Sequence, residues 1–280
     1  MKKSFFLLLV LGLVLVGCKD PNNNNGEEPE APKANPKWVS TEVTKKNVML
    51  EEFTGQGCGY CPDGHRRANL IAKANPGRFF AVNIHAGGYA RPEMTCADAT
   101  TIHDGFVVRG YPMGMVNRND AGVVDRGAWS AYSNQEFQKD ACVNMAAKGT
   151  LNKSTREFKV TVEMYYTLDA PAANNFLTVY LLEDSIWAAQ SNGKKYNPDY
   201  WDDARNLYCH MHVLRGTATD PWGIEITDTK KGSLVTKEIT YTVPEKCGTQ
   251  DINLDHVHFI AFVCQEKKYN LLNVCDVELQ

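Results

Sequence analysis

The stretch FTGQGCGYCPDGH, residues Phe53–His65, holds two cysteines three positions apart, with a histidine four residues after the second. The spacing admits three readings: a redox dithiol, half of a zinc site, or a structural disulfide. Its flanks narrow the choice. Asn47–Phe53 (NVMLEEF) reads as a strand, and Pro62–Ala74 carries Ala68, Ile71 and Ala72 at helical spacing before Asn75-Pro76-Gly77 stops it. Arg78–His85 (RFFAVNIH) reads as a second buried strand. Cys58 then sits at a helix start, where unpaired N–H groups and the positive end of the dipole favour thiolate. Cys58 would attack, and Cys61, one turn further, would resolve the mixed disulfide.

A strand, a CxxC at a helix start and a second strand point to a thioredoxin-like unit. EEFTGQGCGYC resembles the E-F-Y-A-P-W-C-G-H-C pattern of protein-disulfide isomerases, which implies that Glu52 is a buried acid relaying the proton of the dithiol. Val108-Arg109-Gly110-Tyr111-Pro112 resembles the V-R-G-x-P segment of thioredoxins, which implies that Pro112 is cis, packs on the CxxC and positions substrate. Gly59-Tyr60 matches the pair between the cysteines of the periplasmic disulfide isomerase. Two positions depart from the pattern: Gly57 stands where Trp is usual, and Tyr111 replaces Ile, Val or Thr before the proline, placed to cap the dithiol. Asp63 and Glu51 are expected to raise the thiolate pKa. His103 and Asp104 are candidates to line the cleft. The candidate catalytic set is therefore Cys58, Cys61, Glu52, Pro112 and Tyr111. Cys58, Cys61 and His65 share a helix face, but structural zinc sites draw ligands from two turns and this spacing matches no zinc ribbon. No metal and no cofactor is expected there.

Lys2 and Lys3 precede an apolar run, Phe5–Val16, shorter than the roughly 20 residues that span a bilayer. Leu15-Val16-Gly17-Cys18 looks like a bacterial lipobox, so residues 1–17 are expected to be a lipoprotein signal peptide and Cys18 the lipidated residue, contacting outer-membrane lipid. Residues 18–37, rich in Asn, Pro and Glu, are expected to form a disordered lipid-anchored stalk. The net charge of −3 and the scatter of basic residues exclude an obvious nucleic-acid partner.

A thioredoxin-like domain is expected over 38–148, closed by a helix over Trp129–Ala147. From residue 149 to 280, six strand patterns (157–168, 174–186, 209–218, 233–244, 256–265 and 271–279) predict an all-β immunoglobulin-like sandwich. The fold class is thus α/β thioredoxin-like followed by a β-sandwich. With Cys18 lipidated, eight of the nine cysteines remain, an even number permitting full pairing in an exported chain. Sequence does not fix the connectivity. Beside Cys58–Cys61, a hairpin near Tyr269 favours Cys264–Cys275, leaving Cys209–Cys247, with Cys96–Cys142 by elimination. His210/His212 and His256/His258 are His-x-His pairs whose i, i+2 spacing on adjacent strands could offer four imidazoles to a metal, but such pairs are more often exposed or hydrogen-bonded strand residues, and they are assigned to no metal. Aromatic residues around 191–206 make Tyr196, Tyr200, Trp201 and Trp222 candidate partner-binding residues, the alternative being that they pack the loop onto its sheet.

Taken together, the lipobox, the acidic stalk, VMLEEFTGQGCGYCPDGHR, GYPMGMVNR and HMHVLR resemble the Bacteroidetes outer-membrane lipoproteins related to outer-membrane protein twenty-eight, a family that includes a Porphyromonas surface antigen. The resemblance implies an outer-membrane location and an adhesin or receptor role, with a surface protein or glycan as partner. The dithiol keeps open an alternative, an extracytoplasmic thiol–disulfide oxidoreductase or isomerase acting on disulfide-bearing client proteins.

Overall fold

The computed structural model describes residues 35–280; the signal peptide, Cys18 and nearly all of the stalk lie outside the described residues. β1 (Val48–Thr54), α1 (Cys61–Ala74) and β2 (Phe79–His85) form the strand–helix–strand unit read from the sequence, and β1 and β2 pair in parallel. Every residue of β1 is buried, as in a strand covered on both faces. α2 (Ala97–Asp104) follows, and then β3 (Met113–Val116), antiparallel to β1, with the short β4 (Val124–Asp125) beside it. α3 (Trp129–Gln138) packs on β1 and β3, its Trp129 fully buried against Val48, Leu50 and Val116.

The helix expected over Trp129–Ala147 ends at Gln138, because the chain turns to extended backbone at Lys139 and enters β5 (Val143–Asn152). β5 runs through residues 148 and 149, so the expected domain boundary falls inside a strand. β6 (Glu157–Tyr166) and β13 (Leu234–Thr242) continue this antiparallel ladder. β7 (Asn175–Glu183) lies between β11 (Val213–Thr217) and β16 (Val257–Gln265), and β17 (Tyr269–Leu279) joins β16 to β5. β12 (Ile224–Ile226) adds to β7.

The immunoglobulin-like sandwich expected over 149–280 is not set apart as a sheet of its own among the described residues. The strands from the second half extend the sheet of the first, giving one twelve-stranded mixed sheet, β13-β6-β5-β17-β16-β7-β11-β2-β1-β3-β4, with β12 off the path. The join is the outer edge of β2, where Val213 pairs with Asn83. There Asn83 donates its backbone N–H to His212 O at 2.8 Å and its side-chain amide to Met211 O at 2.7 Å. An open parallel edge has unpaired backbone groups, and β11 satisfies them.

The sheet curls at β17, so that Phe158 of β6 stacks on Phe259 of β16 at 3.6 Å although two strands intervene between them. Central strands are therefore buried on both faces. Leu177, Val179 and Leu181 of β7 enter one core, and Tyr180 and Leu182 enter the other, with Met49, Phe53, Val82 and Ile84. Two small sheets complete the fold: β8 (Ile186–Ala188), β9 (Trp201–Asp202) and β10 (Leu207–His210), and β14 (Lys246–Cys247) with β15 (Gln250–Asp251). The short helix α4 (Gly193–Tyr196) lies between β8 and β9.

A sealed disulfide at the head of the first helix

Cys58 and Cys61 are joined as a disulfide with Cα atoms 5.4 Å apart. Cys58 sits in the turn before α1, its N–H donating to Gly55 O at 3.0 Å. Pro62 occupies the first turn of α1, where a missing N–H costs nothing. The Tyr111–Pro112 peptide is cis. A Cβ at Gly64 would lie 2.6 Å from Glu52 Oε1 and 2.9 Å from Pro112 Cγ, so the first turn of α1 approaches both residues as closely as a glycine allows.

Glu52 is buried, and neither carboxylate oxygen has a hydrogen-bond partner. Burial raises its pKa well above the ordinary value, against the pull of Arg126. From Glu52 a polar path runs through the interior. Glu52 Oε1 lies 3.5 Å from His65 Nε2, which also meets Thr54 Oγ1 at 3.1 Å. His65 Nδ1 meets the Tyr208 hydroxyl at 3.1 Å, and that hydroxyl accepts from Asn197 Nδ2 at 2.8 Å. Burial drops the His65 pKa to about 3, keeping the ring neutral. Beside this path His85 and His210 meet edge to face at 5.3 Å, and burial lowers the pKa of both, that of His210 to about 4.

The acids expected to raise the thiolate pKa are neutralised. Arg118 makes a bidentate pair with Glu51 at 2.6 and 2.7 Å on the far side of β1, where Tyr180 donates to the same carboxylate at 2.9 Å. Asp63 is pushed up by partial burial but held well below the usual range by Arg126, Arg67 and Arg66, each within 2.8 Å.

The segment from β8 to β10 covers the disulfide. Gln190 Nε2 donates to Cys58 O at 2.9 Å, Ser191 N to Gln56 O at 2.9 Å, and Asn192 Nδ2 to Gly59 O at 3.3 Å. Tyr196 leans on Tyr60 at 5.4 Å. From the other side Gly57 N donates to Tyr89 O at 2.9 Å and Arg91 N to Gln56 Oε1 at 3.0 Å. Tyr111 is tied to His103 Nε2 at 2.6 Å, with Asp104 behind that histidine at 2.8 Å. Gly87, at φ +77°, leaves the space that the Tyr111 hydroxyl fills. Cys58 is left 3% exposed and Cys61 fully buried.

Several sequence expectations are corrected here. Cys264 and Cys275 leave their strands on opposite faces: Cys264 joins the core containing Phe53 and Ile84, whereas Cys275 sits opposite Ala261 against the other core. Cys209, 3.7 Å from Met211 Sδ, and Cys247 are both free thiols, so the expected Cys209–Cys247 bridge is not formed. Cys96, Cys142 and Cys247 are all free thiols, so Cys96–Cys142 is not formed; Cys96 and Cys247 line one pocket beside Arg215 and Tyr241. The aromatic group divides. Tyr196, Tyr200 and Trp201 belong to the cover over the disulfide, while Trp222 packs edge to face on Phe106 at 5.8 Å under Lys268. Sequence reasoning missed His65 as part of a polar path, along with Tyr208, Asn197 and Gln190. The histidine four residues after Cys61 was the one local signal for it.

Fold and site together define a β-rich protein in which a CxxC disulfide heads a strand–helix–strand unit and is sealed by the second half of its own chain. The chain belongs to the Omp28 outer membrane protein family, whose model matches residues 99–280. HBP35 of Porphyromonas gingivalis is similar in structure at TM-score 0.67, with 20% identity, over 84% of this chain and 76% of that one. A protein of Agrobacterium tumefaciens is similar at TM-score 0.54, with 11% identity, over 84% of this chain and 95% of that one. No curated protein sequence matches the chain significantly. No helix among the described residues is long and apolar enough to cross a membrane.

Proposed function

We propose that the protein is a surface-binding lipoprotein of the outer membrane, anchored through Cys18, in which the Cys58–Cys61 disulfide braces the seat of a binding segment. The observation carrying this reading is the cover itself. Residues 190–192 bond the backbone of the CxxC turn directly and leave Cys58 3% exposed, so no client disulfide reaches its sulfur in this state. The outer side of the cover carries aromatic and cationic groups. Tyr60 is 56% exposed with Arg126 over its ring at 5.4 Å, and Lys195 lies over Tyr196 at 4.9 Å. Rigid aromatic side chains flanked by cations suit a protein or glycan partner. Binding to a glycan array and to immobilised polypeptides tests it. Trp201→Ala and Tyr196→Ala abolish capture, and Cys58→Ser with Cys61→Ser preserves it while lowering the melting temperature, as loss of a brace does; the reverse pattern overturns the proposal.

One observation favours a second reading, thiol–disulfide exchange with client proteins. The unpartnered Glu52 carboxyl, its pKa raised by burial against the first turn of α1, is suited to take a proton from Cys61. Opening of the 190–208 cover would have to precede attack by Cys58. With dithiothreitol supplying the two electrons that open Cys58–Cys61, acceleration of insulin reduction by the purified protein, lost in Glu52→Gln, supports this reading, and its absence excludes it.

A further inference from the structure

Away from the disulfide, three side chains from distant parts of the chain converge at one end of the main sheet. Asp184 follows β7, His212 lies in the connection between β10 and β11, and His258 is the second residue of β16. Asp184 Oδ1 stands 3.0 Å from His212 Nδ1, and Asp184 Oδ2 stands 3.7 Å from His258 Nδ1. One donor atom from each residue lies within 4.8 Å of the other two, and the two imidazoles meet edge to face at 5.6 Å. In a tetrahedral site with bonds near 2.0–2.2 Å, donors lie about 3.4 Å apart, between the two separations found here.

The backbone holds this arrangement in place. Asp184 N donates to His256 O at 3.0 Å, His212 N donates to Asp184 Oδ1 at 2.6 Å, and His212 O accepts from Asn83 N at 2.8 Å. His212 adopts φ +52°, a conformation unusual for a residue with a Cβ. That kink ends the strand at His210 and separates the two histidines of the His-x-His pair. His210 turns inward to His85, and His212 turns out to Asp184. His256 likewise stands apart, 3.4 Å from Asn253 Nδ2. The site therefore takes one histidine from each pair and adds an aspartate from a third segment. All three side chains are about one-third exposed, which leaves room for water or another donor.

We propose that Asp184, His212 and His258 form a binding site for a first-row divalent transition-metal ion of the zinc class. Two imidazoles and one carboxylate suit zinc, nickel, copper or ferrous ions and disfavour calcium and magnesium, which select oxygen-only shells. Three protein donors with solvent access leave coordination positions for water or for a donor brought by a partner molecule.

The test is titration of the purified full-length protein, first stripped with chelator, with Zn2+ by calorimetry and with Co2+ by visible absorption. One ion per chain is expected, with the d–d spectrum of a nitrogen and oxygen site. His258→Ala and Asp184→Asn weaken Zn2+ affinity at least about tenfold with an unchanged circular dichroism spectrum, whereas His256→Ala leaves it intact. Zn2+ also raises the melting temperature of wild type and not of His258→Ala. Failure of wild type to bind either ion at 1:1 stoichiometry overturns the proposal. So does undiminished affinity in folded His258→Ala, which would assign the ion elsewhere, such as the free cysteines.

Discussion

Glu51 and Glu52 are consecutive in β1, and their carboxylates leave the strand on opposite faces into opposite circumstances. Glu51 is clamped by Arg118 and Tyr180, while Glu52 is buried without a single hydrogen-bond donor. The alternation of a strand puts one charge in a satisfied ion pair and the other against the CxxC helix.

For Glu52 the sign of the pH dependence follows from the raised pKa. Its folded-state pKa lies above the unfolded value, so its contribution is fully present in acid and is lost as the pH rises from about 4.5 through the folded value. Glu52→Gln removes that loss. Its melting temperature should exceed that of wild type by about 2–4 °C at pH 8, corresponding to about 1 kcal/mol, and the gain should vanish near pH 4. A variant less stable than wild type at pH 8 would show that the carboxylate finds a donor in solution.

Glu51, by contrast, has its partner in place. Arg118→Ala leaves a fully buried carboxylate without its partner, and urea unfolding should register a loss of about 3–5 kcal/mol. Glu51→Gln combined with Arg118→Met should recover much of that loss, since the pair is then removed together.

Three neutral imidazoles make the fold acid-labile. His65, His85 and His210 have folded-state pKa values below the unfolded value near 6.5, down to about 3 for His65. Their contribution is present above pH 6.5 and is lost as the pH falls toward those values, because the unfolded chain takes up protons that the core refuses. His210, with both ring nitrogens unpartnered, accounts for part of this. His210→Phe should hold or raise the melting temperature at pH 7 and reduce its fall between pH 6 and pH 4. An acid profile identical to wild type would remove His210 from the explanation.

Cys96 and Cys247 make a further prediction. They line one cavity of about 320 Å³ beside Arg215 and Tyr241, and Cys247 Sγ faces Met94 O at 3.6 Å. Treatment with oxidised glutathione should join them, each thiol giving up one proton and one electron, and peptide mapping should recover Cys96–Cys247. Recovery of Cys264–Cys275 would contradict the placement of those two on opposite faces.

The sequence revealed what is local. The β1–α1–β2 unit was legible from a CxxC, a helical apolar period and two apolar runs. The later strands were legible from their alternation, save that His212 splits the one expected over 209–218 into two. Strand partners were not legible. The single pairing of Val213 with Asn83 merges two expected domains into one sheet, and no periodicity announces it. Cysteine pairing failed for a related reason. The irregular register between β16 and β17 around Cys264 decides which face each cysteine takes, and hairpin length alone does not. The cover over the dithiol depends on Gln190, Asn192 and Asn197, polar loop residues whose partners lie more than 100 positions away or on a neighbouring strand.

The claim that the Cys58–Cys61 disulfide is a sealed brace is tested most directly by titrating the protein in glutathione redox buffers, alkylating free thiols and locating them by peptide mass spectrometry. The sealed structure predicts that Cys58 and Cys61 stay joined until the buffer falls below about −300 mV, the range of structural bridges. Opening between about −120 and −270 mV, where disulfide oxidoreductases work, would contradict it and establish Cys58 as an accessible nucleophile.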